Sequence, residues 1–258
     1  MRPDIKAWNP ENPAQWNKTL AWTTVWLSTF SLTFGFCAWF LVPSLAPRLN
    51  EIGFSLTHSQ LYWLVAMVGL SAGTLRILWT FLPPILGTRG LVTFSTGLLL
   101  IPLFCWVYAV QHVDTPYWVL LGFALLSGIG GGTFSGLMAS TNYFFPKHER
   151  GFALGVQGGL SDFGTGLVQF VTPLVIGFSA LACLGSGQVA HLPDGKTITY
   201  WLQNAAWVWI PLVALVTILS WLFLRSVPVT ANIKQQWAIF GNNHTWFMTL
   251  FYYQTFAT

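Results

Sequence analysis

The stretch LYWLVAMVGLSAGTLRILWTFLPPIL, residues 61–86, decides the fold of this chain. It contains a single charged residue, Arg76, and it is longer than the roughly 20 apolar residues that a helix needs to cross a bilayer. An arginine at membrane depth costs at least about 2.5 to 3.5 kcal/mol on insertion scales, so it persists where it faces a cavity or a partner. Because Arg76 is the only charged residue between Glu51 and Arg89, the sequence predicts that its partner is a bound anion.

The composition of the whole chain is that of an integral membrane protein. Of its 258 residues, 54% are hydrophobic and only 7% are charged, whereas a soluble domain carries roughly 25% charged residues. The net charge is +4, but the basic residues are scattered over short connections, which predicts no nucleic-acid partner. Cys37, Cys105 and Cys183 fall in apolar runs and are predicted to be buried thiols. We therefore expect a protein embedded in membrane lipid, without a cofactor or a bound metal.

Six runs in the chain reach the length of a membrane span. They cover residues 20–45, 60–86, 91–110, 117–145, 152–184 and 205–224. The last fourteen residues turn apolar again, and they are predicted to be the start of a seventh span that is cut short. We therefore expect four parts. Residues 1–19 form a cytoplasmic segment and residues 20–224 a six-span domain, and these are followed by a cytoplasmic linker, 225–244, and a truncated seventh helix, 245–258.

Basic residues in the connections predict the orientation of the spans. With the N-terminus inside, eight basic residues lie in inner segments and two lie in outer ones. The inner residues are Arg2, Lys6, Lys18, Arg89, Lys147, Arg150, Arg225 and Lys234, and the outer ones are Arg48 and Lys196. Because lysine and arginine are enriched in cytoplasmic loops, this split predicts that both ends of the six-span domain are cytoplasmic.

Three residues from different spans are predicted to meet at one depth. Counted at about 1.5 Å per residue from the inner ends of their runs, Arg76, Phe134 and Asp162 all lie roughly 15 to 17 Å deep. Substrate sites of transporters lie near that level. Asp162 is the only acid within a span, and three roles are open for it: pairing with Arg76, carrying a proton, or lining an aqueous path as a hydrated residue.

Glycines recur every four residues in two of these spans. Gly128, Gly132 and Gly136 lie in the fourth run, and Gly155 and Gly159 lie in the fifth. This spacing lets the backbones of neighbouring membrane helices approach closely. We therefore expect glycine-lined helix contacts around a narrow polar pocket.

Six blocks of sequence carry a resemblance to a known family. They are WNPENPAQW, LSAGTLRILWTFLPPILGTRG, FSTGLLLIPLFCWVYAVQ, GGTFSGLMASTNYFFPK, ALGVQGGLSDFGTGLVQFVTPLV and NAAWVWIP, in this order. In them the chain resembles, along nearly all its length, the nitrate/nitrite porter family of the major facilitator superfamily, the NarK-like transporters. The resemblance implies an all-α membrane fold of twelve spans in two six-helix halves. This chain holds the first half, which consists of two three-helix inverted repeats, and the start of the seventh helix.

The resemblance implies a substrate-binding role for five residues. Arg76 matches the arginine that clamps the planar anion, and its fork of donors suits an oxyanion. Phe134 matches an aromatic residue that packs against the flat face of the anion, and Gln157 stands where these porters often have asparagine. Tyr252 and Phe256 match residues of the seventh helix that complete the pocket. The second arginine of the family's pocket belongs to a later helix, outside this sequence.

Two further groups of residues match motifs of the family. The glycine-rich signature of the fifth helix contains Gly155, Gly158, Gly159 and Gly164, and the degenerate loop motif contains Gly87 and Arg89. The loop motif stabilises conformations of the transporter and does not bind substrate. Within the signature, Ser161 and Asp162 replace the glycine and asparagine that the family usually has. An acid therefore stands beside the pocket in place of a neutral amide, and the coupling mode stays open.

The resemblance implies nitrate and nitrite as substrates, carried by alternating access across the bacterial inner membrane. Exchange of the two anions needs no titrating group, and all five histidines lie in connections, so antiport is the first expectation. Two alternatives are open: proton-coupled nitrate symport through Asp162, and an inactive or split-gene fragment that needs a separately encoded C-terminal half. An enzyme is disfavoured, because the sequence has no Ser, His and acid at one depth, no phosphate loop and no metal-ligand spacing.

Overall fold

The structure is a computed structural model that describes residues 4–5, 8–179, 185–191, 197–228 and 241–257. The helices in these residues are α1 Lys18–Leu49, α2 His58–Phe81, α3 Pro83–Leu98, α4 Leu100–Gln111, α5 Tyr117–Ser127, α6 Ile129–Thr141, α7 Lys147–Val175, α8 Asn204–Trp207, α9 Trp209–Phe223 and α10 Asn243–Ala257. Short 3-10 turns follow α1 and α6, and two strands, β1 Gln188–His191 and β2 Thr197–Tyr200, form a hairpin. The chain divides into two compact units, Met1–Pro228 and Val229–Thr258, with α10 in the second.

Some predictions concern residues outside this part of the chain. These residues are Arg2, Lys6, Cys183, Lys196 and Lys234, together with 180–184 of the fifth run and 229–240 of the linker. The orientation of the spans and the bounds of the four parts therefore stay predictions. Of the two cysteines within the described ranges, Cys37 is buried and Cys105 is half-buried, and both are free thiols.

Five helical segments in the described residues are long and apolar enough to cross a membrane. They are Lys18–Ile52, His58–Phe81, Pro83–Gln111, Tyr117–Phe144 and Asn204–Phe223. The sixth spanning element is α7, whose 29 residues extend for about 43 Å at 1.5 Å per residue, although its glycines and polar side chains make it less apolar. The predicted run 152–184 differs from this helix at both ends. The helix begins earlier, because its charged first turn is also helical, and it ends earlier, at Val175.

The second predicted run, 60–86, also ends too late. The helix begins with a capping box. The Thr57 side chain accepts from the Gln60 backbone amide, and the Gln60 side chain accepts from Thr57 N. It ends at Phe81, and Pro83 opens α3, because proline fits the first turn of a helix and breaks its interior. Inside α3, Gly87 has φ 67°, a left-handed conformation that favours glycine.

The packing of the six spans shows an internal repeat. The first span, α1, packs most extensively against the fifth, α7, and the second, α2, packs against the fourth, which α5 and α6 form. The third span, α3 with α4, packs against the sixth, α9. Exchanging spans one to three with spans four to six maps the first contact onto the second and the third onto itself. This arrangement is that of two three-helix repeats, as the family resemblance implies.

The expected glycine contact is found between α2 and the fourth span. Gly128, Gly132 and Gly136 all face α2, where a Cβ atom added to any of them would lie 2.5 to 2.7 Å from an α2 atom. Those atoms are Ser71 Cβ, Leu75 Cβ and the Trp79 carbonyl oxygen, respectively. Because these glycines have no side chains, α6 lies close enough to α2 for its peptide groups to interact with α2 side chains.

The β-hairpin is an element that the sequence analysis missed. Its antiparallel strands pair Gln188 with Tyr200 and His191 with Thr197, and it follows the fifth span. An Asp-Gly pair stands between the two strands in the sequence, which is a strong hairpin signal when short β-branched runs flank it. That signal lies in the connection between the runs 152–184 and 205–224, which the sequence analysis considered only for its charge.

Candidate functional site

The Arg76 side chain lies between α2 and α6. Its Nε donates to the Gly131 carbonyl oxygen at 3.3 Å, and its Cζ lies 5.5 Å from the centroid of the Phe134 ring. A guanidinium at this distance is attracted to the ring face. The two predicted residues therefore lie together, and Arg76 is half-buried.

Small residues of α6 make this placement possible. Gly131 packs against α1, where a Cβ atom on it would lie 2.7 Å from the Trp39 ring, and its carbonyl oxygen accepts from the guanidinium. The carbonyl oxygen of Arg76 accepts two hydrogen bonds of 2.8 Å, one from Thr80 Oγ1 and one from Ser135 Oγ. These bonds fix the backbone of Arg76 to both helices.

Phe134 is held from two sides. The ring of Phe36, which is only 3% exposed, lies 5.9 Å from the Phe134 ring at an interplanar angle of 47°. Aromatic pairs at this separation add about 0.5 to 1.5 kcal/mol beyond their buried area. Phe134 is therefore an ordered, half-buried surface between α1 and Arg76.

Asp162 lies on the open face of α7. It shares this face with Gly155, Gly159 and Gly166, since these positions recur at helical spacing, and all four are exposed. The Asp162 carboxylate and the Arg76 guanidinium attract each other electrostatically. The three roles that are open for Asp162 therefore stay predictions.

Gln157 lies on the opposite face of α7. It belongs to a buried stripe with Ala153, Ser161, Gly164 and Val168 and is fully buried. Neither its Oε1 nor its Nε2 has a hydrogen-bond partner among the described residues. A buried polar group without a partner costs about 1 to 3 kcal/mol, so this amide is unusual in a packed bundle.

The depth count that joined Arg76, Phe134 and Asp162 used the wrong helix ends. Arg76 lies five residues before the last residue of α2, and Phe134 lies seven before the last residue of α6. Asp162 lies fifteen residues after the first residue of α7. Arg76 and Phe134 nevertheless lie together, because α2 packs tightly on α6.

The four signature glycines of α7 fall into two groups. A Cβ atom at Gly164 would overlap the Thr33 carbonyl oxygen of α1, and one at Gly158 would lie 3.5 Å from Met138 Cε. Gly155 and Gly159 meet no described atom within 4 Å. Their close approach to another helix, which the spacing predicted, is therefore not found within this unit.

Tyr252 and Phe256 lie on α10, in the second unit. Their side chains are outside the described part of the chain. Their predicted place in the pocket therefore stays a prediction.

Gly87 and Arg89 lie at the start of the third span and contact the end of the sixth. The Arg89 guanidinium lies 4.2 Å from the centroid of the Trp221 ring, and its Nε donates to the Trp221 carbonyl oxygen at 2.8 Å. The Ser226 hydroxyl accepts from Arg89 N at 3.3 Å, and it would lie 2.7 Å from a Cβ atom at Gly87. The sequence analysis missed the two partners, since contacts over 130 residues carry no local signal.

Asp4 joins this contact from the N-terminal segment. Its carboxylate accepts from Ser226 N at 2.8 Å and lies 3.7 Å from an Arg89 nitrogen. The Asp4 backbone amide donates to the Ser226 carbonyl oxygen at 2.9 Å. The loop motif is thus part of a network that joins the first residues, the third span and the sixth.

The chemistry that these residues offer is binding by charge and shape. A guanidinium, an aromatic face and an amide can hold a small planar anion through charge-assisted hydrogen bonds and stacking. Within the described residues, no group of three or more His, Cys, Asp or Glu side chains could hold a metal ion.

Comparison with known proteins places the chain in a family. The model of the Major Facilitator Superfamily matches residues 18–258. The chain is 55% identical over 255 residues to the probable nitrate/nitrite antiporter NarK2 of Thermus thermophilus, which covers 98% of this chain and 58% of that protein. It is 38% identical to the nitrate/nitrite transporter NarU of Escherichia coli strain K12, covering 98% of this chain and 55% of that protein.

These relatives are transporters and not enzymes, and the chain spans a little over half the length of each. The family match, the two relatives and the bundle of two three-helix repeats agree with one another. Together they show that the chain belongs to the nitrate/nitrite porter family of the major facilitator superfamily.

Proposed function

We propose that this chain forms the N-terminal half of a transporter that exchanges nitrate for nitrite by alternating access. The observation that carries the proposal is the half-buried Arg76 guanidinium, held against the Gly131 carbonyl oxygen and the Phe134 ring. Of its relatives, NarK2 is named a probable nitrate/nitrite antiporter and NarU a nitrate/nitrite transporter. A planar oxyanion is the ligand that a guanidinium fork beside an aromatic face fits best.

Each site residue has a distinct part in this proposal. Arg76 provides charge-assisted hydrogen bonds to the anion, and Phe134 packs against its flat face. Gln157 offers an amide that lacks any other partner among the described residues, and Tyr252 and Phe256 complete the pocket from the seventh helix. The second half of the transporter, nitrate, nitrite and surrounding lipid are the partners that this scheme requires.

Counterflow in proteoliposomes tests the proposal. The transporter that contains this chain is reconstituted with nitrite inside, and nitrate uptake is measured with and without the internal anion. We expect uptake that depends on internal nitrite and that persists when proton gradients are collapsed. Uptake that needs a proton gradient and ignores internal nitrite would favour symport. The chain reconstituted alone is expected to be inactive, because the proposed pocket needs both halves.

Substitution of Asp162 separates antiport from symport. Asp162→Asn introduces the residue that this family usually has, and we expect nitrate/nitrite exchange to stay within about twofold of the original rate across pH. The physical reason is that exchange of two monovalent anions needs no proton carrier. The alternative rests on the exposure of Asp162 and its attraction to Arg76. It predicts instead that Asp162→Asn removes transport only where uptake is driven by protons.

Substitution of Gln157 distinguishes a binding amide from a packing residue. Gln157→Leu removes two buried polar atoms that lack partners, so we expect the thermal unfolding midpoint to rise. We also expect nitrate affinity to fall by roughly tenfold or more, since a hydrogen bond to a charged group contributes about 1.5 to 3 kcal/mol. Gln169→Leu is the matched control, because Gln169 is exposed on the same helix. Equal affinity in both variants would exclude Gln157 from the pocket.

A further inference from the structure

The segment Trp8–Trp16, sequence WNPENPAQW, packs on the connection between the fourth and fifth spans. We name this segment the N-terminal strap. Trp8 Nε1 donates to the Tyr143 carbonyl oxygen and Trp16 Nε1 donates to the Phe144 carbonyl oxygen, both at 2.9 Å. The two indole rings also lie against the rings of Phe144 and Phe145. Two backbone acceptors that no helix satisfies are thus satisfied by side chains about 130 residues away.

Glu11 lies between these two tryptophans and meets the start of α7. Its Oε1 accepts from the backbone amide of Lys147, the first residue of that helix, at 2.9 Å. The N-cap position of α7 is Pro146, which provides no side-chain hydrogen bond. A helix start leaves several amides without partners and carries a partial positive charge, so a carboxylate there stabilises the helix. Glu11 therefore supplies from a distance the cap that the local sequence lacks.

The same helix carries two residues of the proposed site. Gln157 and Asp162 lie ten and fifteen residues after Lys147 on α7, whereas Arg76 and Phe134 belong to α2 and α6. A shift at the start of α7 therefore moves Gln157 and Asp162 relative to Arg76 and Phe134. We propose that Glu11 is a positioning residue, which caps α7 through the N-terminal strap and so fixes Gln157 and Asp162 against Arg76 during transport.

This inference rests on the proposed function, and its test has one readout that does not depend on transport. Hydrogen exchange of the amides in the first turn of α7 is measured in the purified full-length transporter. Glu11→Ala is expected to accelerate exchange there by about 2- to 30-fold, which corresponds to the loss of a cap of about 0.5 to 2 kcal/mol. Glu11→Gln keeps the carbonyl acceptor and is expected to restore slow exchange. Glu51→Ala, at the other end of α1, is the matched control.

The second readout is nitrate/nitrite exchange by the same variants. We expect Glu11→Ala to lower the maximal rate several-fold and to raise KM by less than the tenfold expected of Gln157→Leu, because the anion clamp on α2 and α6 is intact and Gln157 is displaced rather than removed. Glu11→Gln should recover the rate. Trp16→Phe, which keeps a ring but removes the donor to Phe144, should act in the same direction as Glu11→Ala.

Three results would decide against parts of this scheme. Unchanged amide exchange in Glu11→Ala would overturn the cap. Faster amide exchange with an unchanged maximal transport rate would overturn the positioning role. Failure of the unsubstituted transporter to exchange nitrate would overturn the proposed function alone, since amide exchange still decides whether Glu11 caps α7.

Discussion

Arg76→Ala is expected to lower the apparent affinity for nitrate by about 30- to several-thousand-fold, which corresponds to a loss of about 2 to 5 kcal/mol on truncating one partner of a buried charge pair. Arg76 is the basic residue that contacts both Gly131 and Phe134, and no other group of the described site offers a positive charge there. Nitrate uptake in proteoliposomes and direct nitrate binding both measure the effect.

Arg76→Lys refines this prediction. Lysine keeps the charge but loses the planar fork of donors, so we expect a result between those of arginine and alanine. Arg48→Ala is the matched control, because Arg48 lies in the last turn of α1 and donates to the nearby Ser44 carbonyl oxygen. Nitrate affinity and flux that are unchanged in Arg76→Ala would refute the proposed site.

Gly130→Ala is expected to have the largest effect on stability. A Cβ atom at Gly130 would overlap the carbonyl oxygen of Gly35 on α1 and lie 2.9 Å from its carbonyl carbon. Both contacts are with backbone, which cannot rotate away as a side chain can. Inserting atoms into a packed core costs typically about 1 to 3 kcal/mol and occasionally more. Thermal unfolding in detergent should therefore show a clearly lower midpoint.

The same substitution is expected to weaken anion binding. Separation of α6 from α1 displaces Gly131 and Phe134, which hold Arg76 in place. Gly122→Ala is the control, because nothing lies within 4 Å of a Cβ atom there and alanine is the better helix former by about 1 kcal/mol. If Gly130→Ala unfolds at the same temperature as Gly122→Ala, the close contact between α1 and α6 is wrong.

The spans and the contact of Arg76 with Phe134 could be predicted from sequence. Long apolar runs are local signals, and bilayer thickness fixes the length that they need. The capping box at Thr57 and Gln60, which the structure contains, is likewise a local signal. A charged side chain inside such a run must face a cavity or a partner, so Arg76 could be identified as a functional candidate from sequence alone.

The start of α7 could not be found in the same way. Lys147 to Arg150 are polar or charged, so a hydropathy reading leaves them outside the span. They are helical in the structure, and their cap, Glu11, is distant in sequence. Because the depth count began at residue 152, it placed Asp162 five residues too close to the helix start.

The burial of Gln157 could not be predicted from the sequence either. The resemblance places this residue in the pocket, but the periodicity of α7 puts it on the face opposite Asp162. An apolar helix face in a membrane can meet lipid as well as the core, so the pattern of α7 does not by itself identify its inner face. Only the packing of α1 on α7 shows which side is enclosed.

The stacking of Arg89 on Trp221 couples two spans that occupy equivalent places in the two repeats. Together with the Ser226 hydroxyl, it joins the beginning of the third span to the end of the sixth. Neither span can change its tilt at this end of the bundle without carrying the other along. In the proposed transport cycle, we therefore expect the angle between these two spans to stay almost constant.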